Sequence, residues 1–172
     1  GQTEYSRVWR GYTVDEYREG VNRIRSTVKD LAITTDIIVG FPGETEREFE
    51  LTRAFMDEIG FDNAFIFKYS PRPGTPAAEV EDDVSDDEKM RRNKILLADQ
   101  DKRGLEKNKA YCGRVVKILA EGPSLRNEER WSGRTESNKI VVFEPVRTVS
   151  VGEIVDVMVE RAMAQTLYGR LI

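Results

Sequence analysis

The sequence predicts an α/β part containing a parallel strand pair, followed by a small antiparallel β-barrel. Two observations carry this. Between Thr13 and Tyr69 the hydrophobic patterns run helix, strand, loop, helix, strand, which is the rhythm of a βαβ unit with a right-handed crossover. From Tyr111 onward the period changes to two, and Gly, Pro, Ser and Asn interrupt it at short intervals, as in a small barrel of short strands. The boundary falls near residue 108, dividing the chain into 1–107 and 108–172.

The first helix opens on Thr13-Val14-Asp15-Glu16, a capping box in which a Thr hydroxyl and a Glu carboxylate satisfy backbone N–H groups reciprocally. Behind it Val14, Tyr17, Val21, Ile24 and Val28 recur at spacings of three and four, one apolar helical face. LAITTDIIVGF (31–41) is β-branched and nearly continuous, as expected of a strand covered on both faces. Thr45-Glu46-Arg47-Glu48 is a second capping box. Phe49, Phe55, Met56 and Ile59 continue that helix, and Gly60 ends it. FDNAFIFKY (61–69) is the next strand.

SPRPGTPAAEVEDDVSDDE (70–88) is Pro-rich and then acidic, and reads as a solvated loop. Ser85-Asp86-Asp87-Glu88 closes it as a third capping box, and a helix runs to about Asn108 with Met90, Ile95, Leu96, Leu97 and Leu105 as its apolar content. Its many charges suggest a surface or connector helix. GRVVKILAEG, NKIVVFEP, GEIVDVMVERA and TLYGRLI then read as four short strands. Arg126, Arg130, Trp131, Arg134 and Lys139 fall in or beside one long loop between the first two of these strands.

Composition narrows the chemistry. No stretch approaches the roughly 20 apolar residues of a membrane span, and GQTEYSRVWR has no basic segment followed by an apolar one, so a cytoplasmic location without a signal peptide is expected. A single cysteine, Cys112, and no histidine rule out a disulfide framework, a metal site built from several Cys or His, and Ser-His or Cys-His nucleophilic chemistry. Cys112 itself reads as a small buried hydrophobe near a strand start. Net charge is −4, unevenly spread: residues 108–172 carry 10 Lys and Arg against 8 Asp and Glu, residues 1–107 carry 17 against 23. A mildly basic C-terminal part is compatible with nucleic acid.

The stretch IIVGFPGET (37–45) ends a strand in a Gly-rich loop. It is not a phosphate loop: it has neither the G-x-x-x-x-G-K-[ST] nor the G-x-G-x-x-G spacing. Pro42 offers no N–H, and Glu44, Glu46 and Glu48 occupy the helix N-terminus where an anion would bind. The loop lies at the C-terminal end of a parallel strand, the face on which α/β folds bind ligands. Gly40 and Gly43 would let a flat, neutral group such as adenine approach the backbone; the alternative is a tight turn with no ligand.

TTDIIVGFPGETEREFE (34–50) followed by FDNAFIFKYSPRPGTPAA (61–78) resembles the radical S-adenosylmethionine methylthiotransferases, most closely the MiaB type that thiomethylates isopentenyl-adenosine beside the anticodon of tRNA. RGYTVDEY (10–17) agrees. EGPSL, SGRTESNKIVVFE (132–144), VGEIVDV (151–157) and LYGRL (167–171) resemble the TRAM domain, the small RNA-binding, OB-like β-barrel appended to these enzymes. The family's C-x-x-x-C-x-x-C motif for a 4Fe-4S cluster is absent, as are the three cysteines of its second cluster, and GQTEYSRVW does not reproduce the Gln-Ser-Gly-Ser stretch usual before RGYT.

The resemblance therefore implies a C-terminal region: a partial TIM-like barrel fragment with a connector helix over 1–107, then TRAM over 108–172, inactive alone. The intact enzyme would use S-adenosylmethionine and two 4Fe-4S clusters; its partners would be the missing N-terminal part and a tRNA anticodon stem-loop. By the same resemblance Asp36, Ile38, Gly40, Phe67 and Tyr69 would line the S-adenosylmethionine pocket. Asp36 has a packing role and Phe67 a core role as the plainer alternatives. Arg72 would meet substrate phosphate, or be a solvated loop residue. Arg126, Arg130, Arg134 and Lys139 would contact RNA phosphates, and Trp131 would stack on an unpaired base; a polar hairpin loop is the alternative. The rival functions are a non-catalytic RNA-binding module and a methylthiotransferase for another tRNA adenosine or a ribosomal protein. YSPRPGTPAA argues against those last two substrates.

Overall fold

The computed structural model describes residues 11–172; the segment GQTEYSRVWR lies outside the described residues. The chain divides into two compact units, one up to Gln100 and the other Asp101–Ile172, and the division falls within a helix. Among the described residues no helix is long and apolar enough to cross a membrane.

In the first unit α1 (Val14–Thr27) and α2 (Glu46–Ile59) both start on complete capping boxes, Thr13 with Glu16 and Thr45 with Glu48. Gly60 ends α2 in the left-handed conformation, φ 61°. Between and after them β1 (Thr34–Val39) and β2 (Asn63–Lys68) pair in parallel, Asp36 opposite Phe65 and Ile38 opposite Phe67. The helices cover one face of this sheet. Val39, Ala64 and Ile66 pack there with Val21, Phe49, Met56, Ile59, Phe61 and Leu96, and Ile37 is partly buried against the same cluster.

The 70–88 segment is less loose than its composition suggests. Pro76–Glu79 forms a 3-10 turn, and Val84 is buried within the acidic run. The following helix, α3 (Asp86–Lys109), keeps half of the expected third capping box: Ser85 Oγ accepts from the Glu88 N–H at 3.2 Å, but the Glu88 carboxylate is turned to Arg91 and Arg92. Nor is α3 merely a surface helix. Lys89, Arg92, Leu96, Gln100 and Asn108 are buried at helical spacing, whereas Met90 and Leu97 are exposed. Its buried stripe is mostly polar, which is why apolar periodicity did not find it.

The second unit is a closed barrel of five strands, β3 (Val115–Ser124), β4 (Asn127–Arg134), β5 (Ile140–Glu144), β6 (Ile154–Ala162) and β7 (Thr166–Leu171), in the order β3-β4-β5-β7-β6. Ile118, Ala120, Val141, Phe143, Val155, Val157, Val159, Leu167 and Leu171 fill it, alternate residues of β3, β5, β6 and β7. Three expectations are corrected. The long loop thought to hold Arg130, Trp131 and Arg134 is a strand, β4, joined to β3 by a turn at Leu125-Arg126. Charged and small residues alternate there with Trp131 and Gly133, so the period of two was hidden. The barrel is also not wholly antiparallel, because β5 pairs with β7 in parallel. Cys112 is exposed rather than buried: it lies in the turn after α3, ahead of the first barrel strand.

Candidate functional site

The sequence-selected residues of β1 and β2 lie on an open face of the first unit. In β1 the side chains alternate, with Thr34, Asp36 and Ile38 exposed and Thr35, Ile37 and Val39 toward the helices. The parallel register brings Phe65 and Phe67 alongside Asp36 and Ile38. Ile38, Phe65 and Phe67 are 51%, 54% and 53% exposed, so one carboxylate stands among three large apolar side chains open to solvent. Asp36, Ile38 and Phe67 were singled out from the sequence; Phe65 was not. Its signal was present, since a residue two positions before Phe67 on a strand shares its face.

Gly40 and Tyr69 serve the loop beyond this face. Gly40 is buried with φ 71°, and its N–H donates to Glu44 Oε2 at 2.6 Å. The Glu44 N–H returns to Phe41 O at 2.8 Å, and the Gly43 N–H donates to Asp83. The Gly40 and Gly43 donors are thus taken by the carboxylates of Glu44 and Asp83. Tyr69 is held on both sides: its hydroxyl donates to Ala77 O at 2.9 Å, and its ring meets Phe41 edge-on with centroids 5.1 Å apart.

Two buried cations brace this loop from α3. Lys89 reaches Asp82 at 2.5 Å and stands over the Tyr69 ring. Arg92 donates to Glu44 Oε2 at 2.7 Å, to Glu44 O at 2.9 Å and to Glu88 Oε1 at 2.7 Å. Hydrogen bonds from Arg91 and then Arg92 hold the Glu88 carboxyl down at about 2. Neither buried cation was visible from the sequence, because a Lys and an Arg in a charged helix look solvated. Arg72 lies exposed in the Pro-rich loop, where its carbonyl accepts from Thr75.

In the second unit Arg130 and Arg134, two of the sequence-selected cations, are paired with carboxylates. Arg130 pairs with Glu144 at 2.5 Å, and Arg134 with Glu121 at 3.1 Å and Asn138 at 3.0 Å. Lys139 donates to Asn108 Oδ1 at 2.9 Å and stands 5.3 Å above the Tyr111 ring. Arg126 is exposed in the β3–β4 turn. Trp131, opposite Phe143 in the register, is partly buried against the barrel core rather than presented on a loop.

Residues 109–172, which include all five barrel strands, match the family model described as the TRAM domain. The second unit carries a TRAM domain. Over most of its length the chain is also similar to proteins named tRNA-2-methylthio-N(6)-dimethylallyladenosine synthase. It is 45% identical over 160 residues to that of Akkermansia muciniphila, covering 93% of this chain and 35% of the relative. Those of Burkholderia cenocepacia and Burkholderia thailandensis are 41% and 40% identical over 167 and 166 residues, in each case 95% of this chain and 36% of the relative. The chain spans about a third of the length of these relatives, and the residues that match the TRAM domain are its last 64.

Among the described residues no group of three or more His, Cys, Asp or Glu is placed to hold a metal ion. In the whole sequence the only thiol is Cys112 and there is no His. The residues present therefore do not fit an iron–sulfur cluster.

Proposed function

We propose that this chain is the C-terminal part of a tRNA-2-methylthio-isopentenyladenosine synthase of the radical S-adenosylmethionine class, acting in the cytoplasm on the adenosine next to the anticodon. The observation that carries the proposal is identity of 41–45% to synthases of that name across more than nine tenths of the chain. Residues 1–107 are then the end of a partial TIM-like barrel with its following helix, and 108–172 the RNA-binding part. A parallel β1–β2 pair with helices on one face and an open apolar face on the other supports that reading, because a barrel strand is covered outside by helices and inside by its neighbours.

In the intact enzyme S-adenosylmethionine would supply the methyl group and the radical, and both 4Fe-4S clusters would be held by cysteines of the missing N-terminal part. No radical step runs through the residues of this chain. Their part is to bind and orient. Asp36 offers a carboxylate to a cationic group, while Ile38, Phe65 and Phe67 offer flat apolar surface to an adenine. Gly40 and Tyr69 shape the loop at the end of that face through Glu44 and Ala77. Arg72 would reach substrate phosphate from the Pro-rich loop. In the TRAM domain Arg126, Arg130, Arg134 and Lys139 would contact the backbone of an anticodon stem-loop, and Trp131 would steady the strand that carries two of them.

A chimera tests this directly. The N-terminal two thirds of a relative fused to this chain is expected to restore the 2-methylthio mark on tRNA adenosine, read by nucleoside mass spectrometry. A folded, cluster-loaded chimera that leaves tRNA unmarked overturns the proposal.

A further inference from the structure

We propose that the base-stacking platform of the TRAM domain is the pair Arg161–Tyr168 on the outer face of β6 and β7, with an unpaired RNA base as its ligand. The proposal rests on the RNA-binding reading above and names where an exposed base would be held.

Along β7 Leu167, Gly169 and Leu171 are buried inside the barrel, so Thr166, Tyr168 and Arg170 point outward. On β6 the inward residues are Val155, Val157 and Val159. The register then slips: Val159 stands opposite Gly169, but Arg161 opposite Tyr168. The extra residue is a β-bulge at Glu160, and such bulges re-aim side chains. Here it leaves Glu160 and Arg161 both exposed and swings Arg161 across to the outward ring. Its guanidinium carbon sits 4.4 Å from the Tyr168 ring centroid, closer than the 5.3–5.6 Å of the other cation–ring contacts among the described residues.

The charge of this guanidinium is not spent. Lys117, Arg130, Arg134, Arg147 and Arg170 each have a carboxylate within 3.1 Å, whereas Arg161 has none among the described residues. A planar cation held over an aromatic ring loses little freedom when a base stacks on it, and it retains charge for the adjoining phosphate. Unpaired RNA bases are commonly held on aromatic and guanidinium planes. Trp131, the aromatic residue the sequence suggested, is partly buried against the barrel core.

The test uses the full chain and two RNA probes: a stem-loop with an adenine-rich loop, and a blunt duplex of the same stem. Wild type is expected to prefer the stem-loop, with affinity falling as salt rises. Tyr168→Leu and Arg161→Gln are expected to weaken stem-loop binding about tenfold and duplex binding little. Tyr168→Phe should bind as wild type. Arg161→Lys should keep the salt dependence but lose most of the loop preference, and this surface variant decides the matter should Tyr168→Leu not fold. If Arg161→Lys and Arg161→Gln bind the stem-loop as tightly as wild type, the platform is overturned while the RNA-binding reading stands. If wild type binds neither RNA, that reading falls and the platform with it.

Discussion

Lys89 lies directly over Gly40: a Cβ at residue 40 would stand 2.3 Å from Lys89 Cγ. The backbone there has φ 71°, where a side chain is disfavoured in any case. The clashing atom is near the root of a side chain whose far end is tied to Asp82, so it has little room to yield. Gly40→Ala is expected to destabilise the chain by about 2 kcal/mol or more, from the left-handed penalty and the clash together. A fall in the urea midpoint at unchanged slope would show it.

Arg92 is the second brace. Its guanidinium is buried beside Glu44 and Glu88, and Glu44 in turn receives the Gly40 N–H. Arg92→Met removes the cation but keeps much of the volume, leaving Glu44 partly desolvated without its partner. A loss of roughly 3 kcal/mol is expected. In the double variant Arg92→Met, Glu44→Gln part of that loss should return, since the uncompensated charge is gone.

The same cluster sets an acid response. Arg91, and to a lesser degree Arg92, lower the Glu88 carboxyl from 4.5 to about 2. Because the folded value lies below the unfolded one, the stabilisation is complete above about pH 5 and is lost as pH falls toward 2. Glu88→Gln should therefore lower stability at neutral pH and flatten the stability curve across that window. An unchanged acid limb would contradict it.

The barrel has its own tight point. A Cβ on Gly169 would stand 2.1 Å from Met158 O, a backbone atom that cannot move without breaking the β6–β7 ladder. Gly169→Ala is expected to cost roughly 2–3 kcal/mol by overpacking and to lower the melting temperature of the TRAM domain.

The open face of β1 and β2 predicts the opposite behaviour. Phe65 and Phe67 are half exposed in this chain, so Phe65→Ser and Phe67→Ser should each change its stability by no more than about 0.5 kcal/mol. In the chimera proposed above, Phe67→Ser should instead raise the concentration of S-adenosylmethionine needed for half-maximal modification.

Much of this was legible in the chain because the signals are local. Thr13 with Glu16 and Thr45 with Glu48 specify helix starts within four residues, and both boxes form. The β-branched run 34–39 and the Phe-Ile alternation of 63–68 specify strands and, by alternation, which side chains share a face. Asp36, Ile38 and Phe67 were grouped through the family resemblance. β4 was missed because Asn127-Glu128-Glu129-Arg130 has a loop's composition; the strand is fixed by pairing, Asn127 with Ser124 of β3 and Trp131–Arg134 with β5. The buried stripe of α3 was missed because Arg92, Gln100 and Asn108 find partners far along the chain, Glu44, Phe61 O and Met163 O, and Lys89 meets Asp82 only through the fold of the preceding loop.

The sequence by itself determined the helix starts, the βαβ rhythm, the absence of any cluster-binding cysteine set, and the likeness that led to the methylthiotransferases. Only the tertiary structure decided which charges are neutralised and which aromatic rings face water. Those outcomes depend on long-range pairing: Arg130 finds Glu144 through the β4–β5 register, Trp131 turns inward against Phe143, and a one-residue bulge in β6 lays Arg161 on Tyr168. Local propensity is blind to such register.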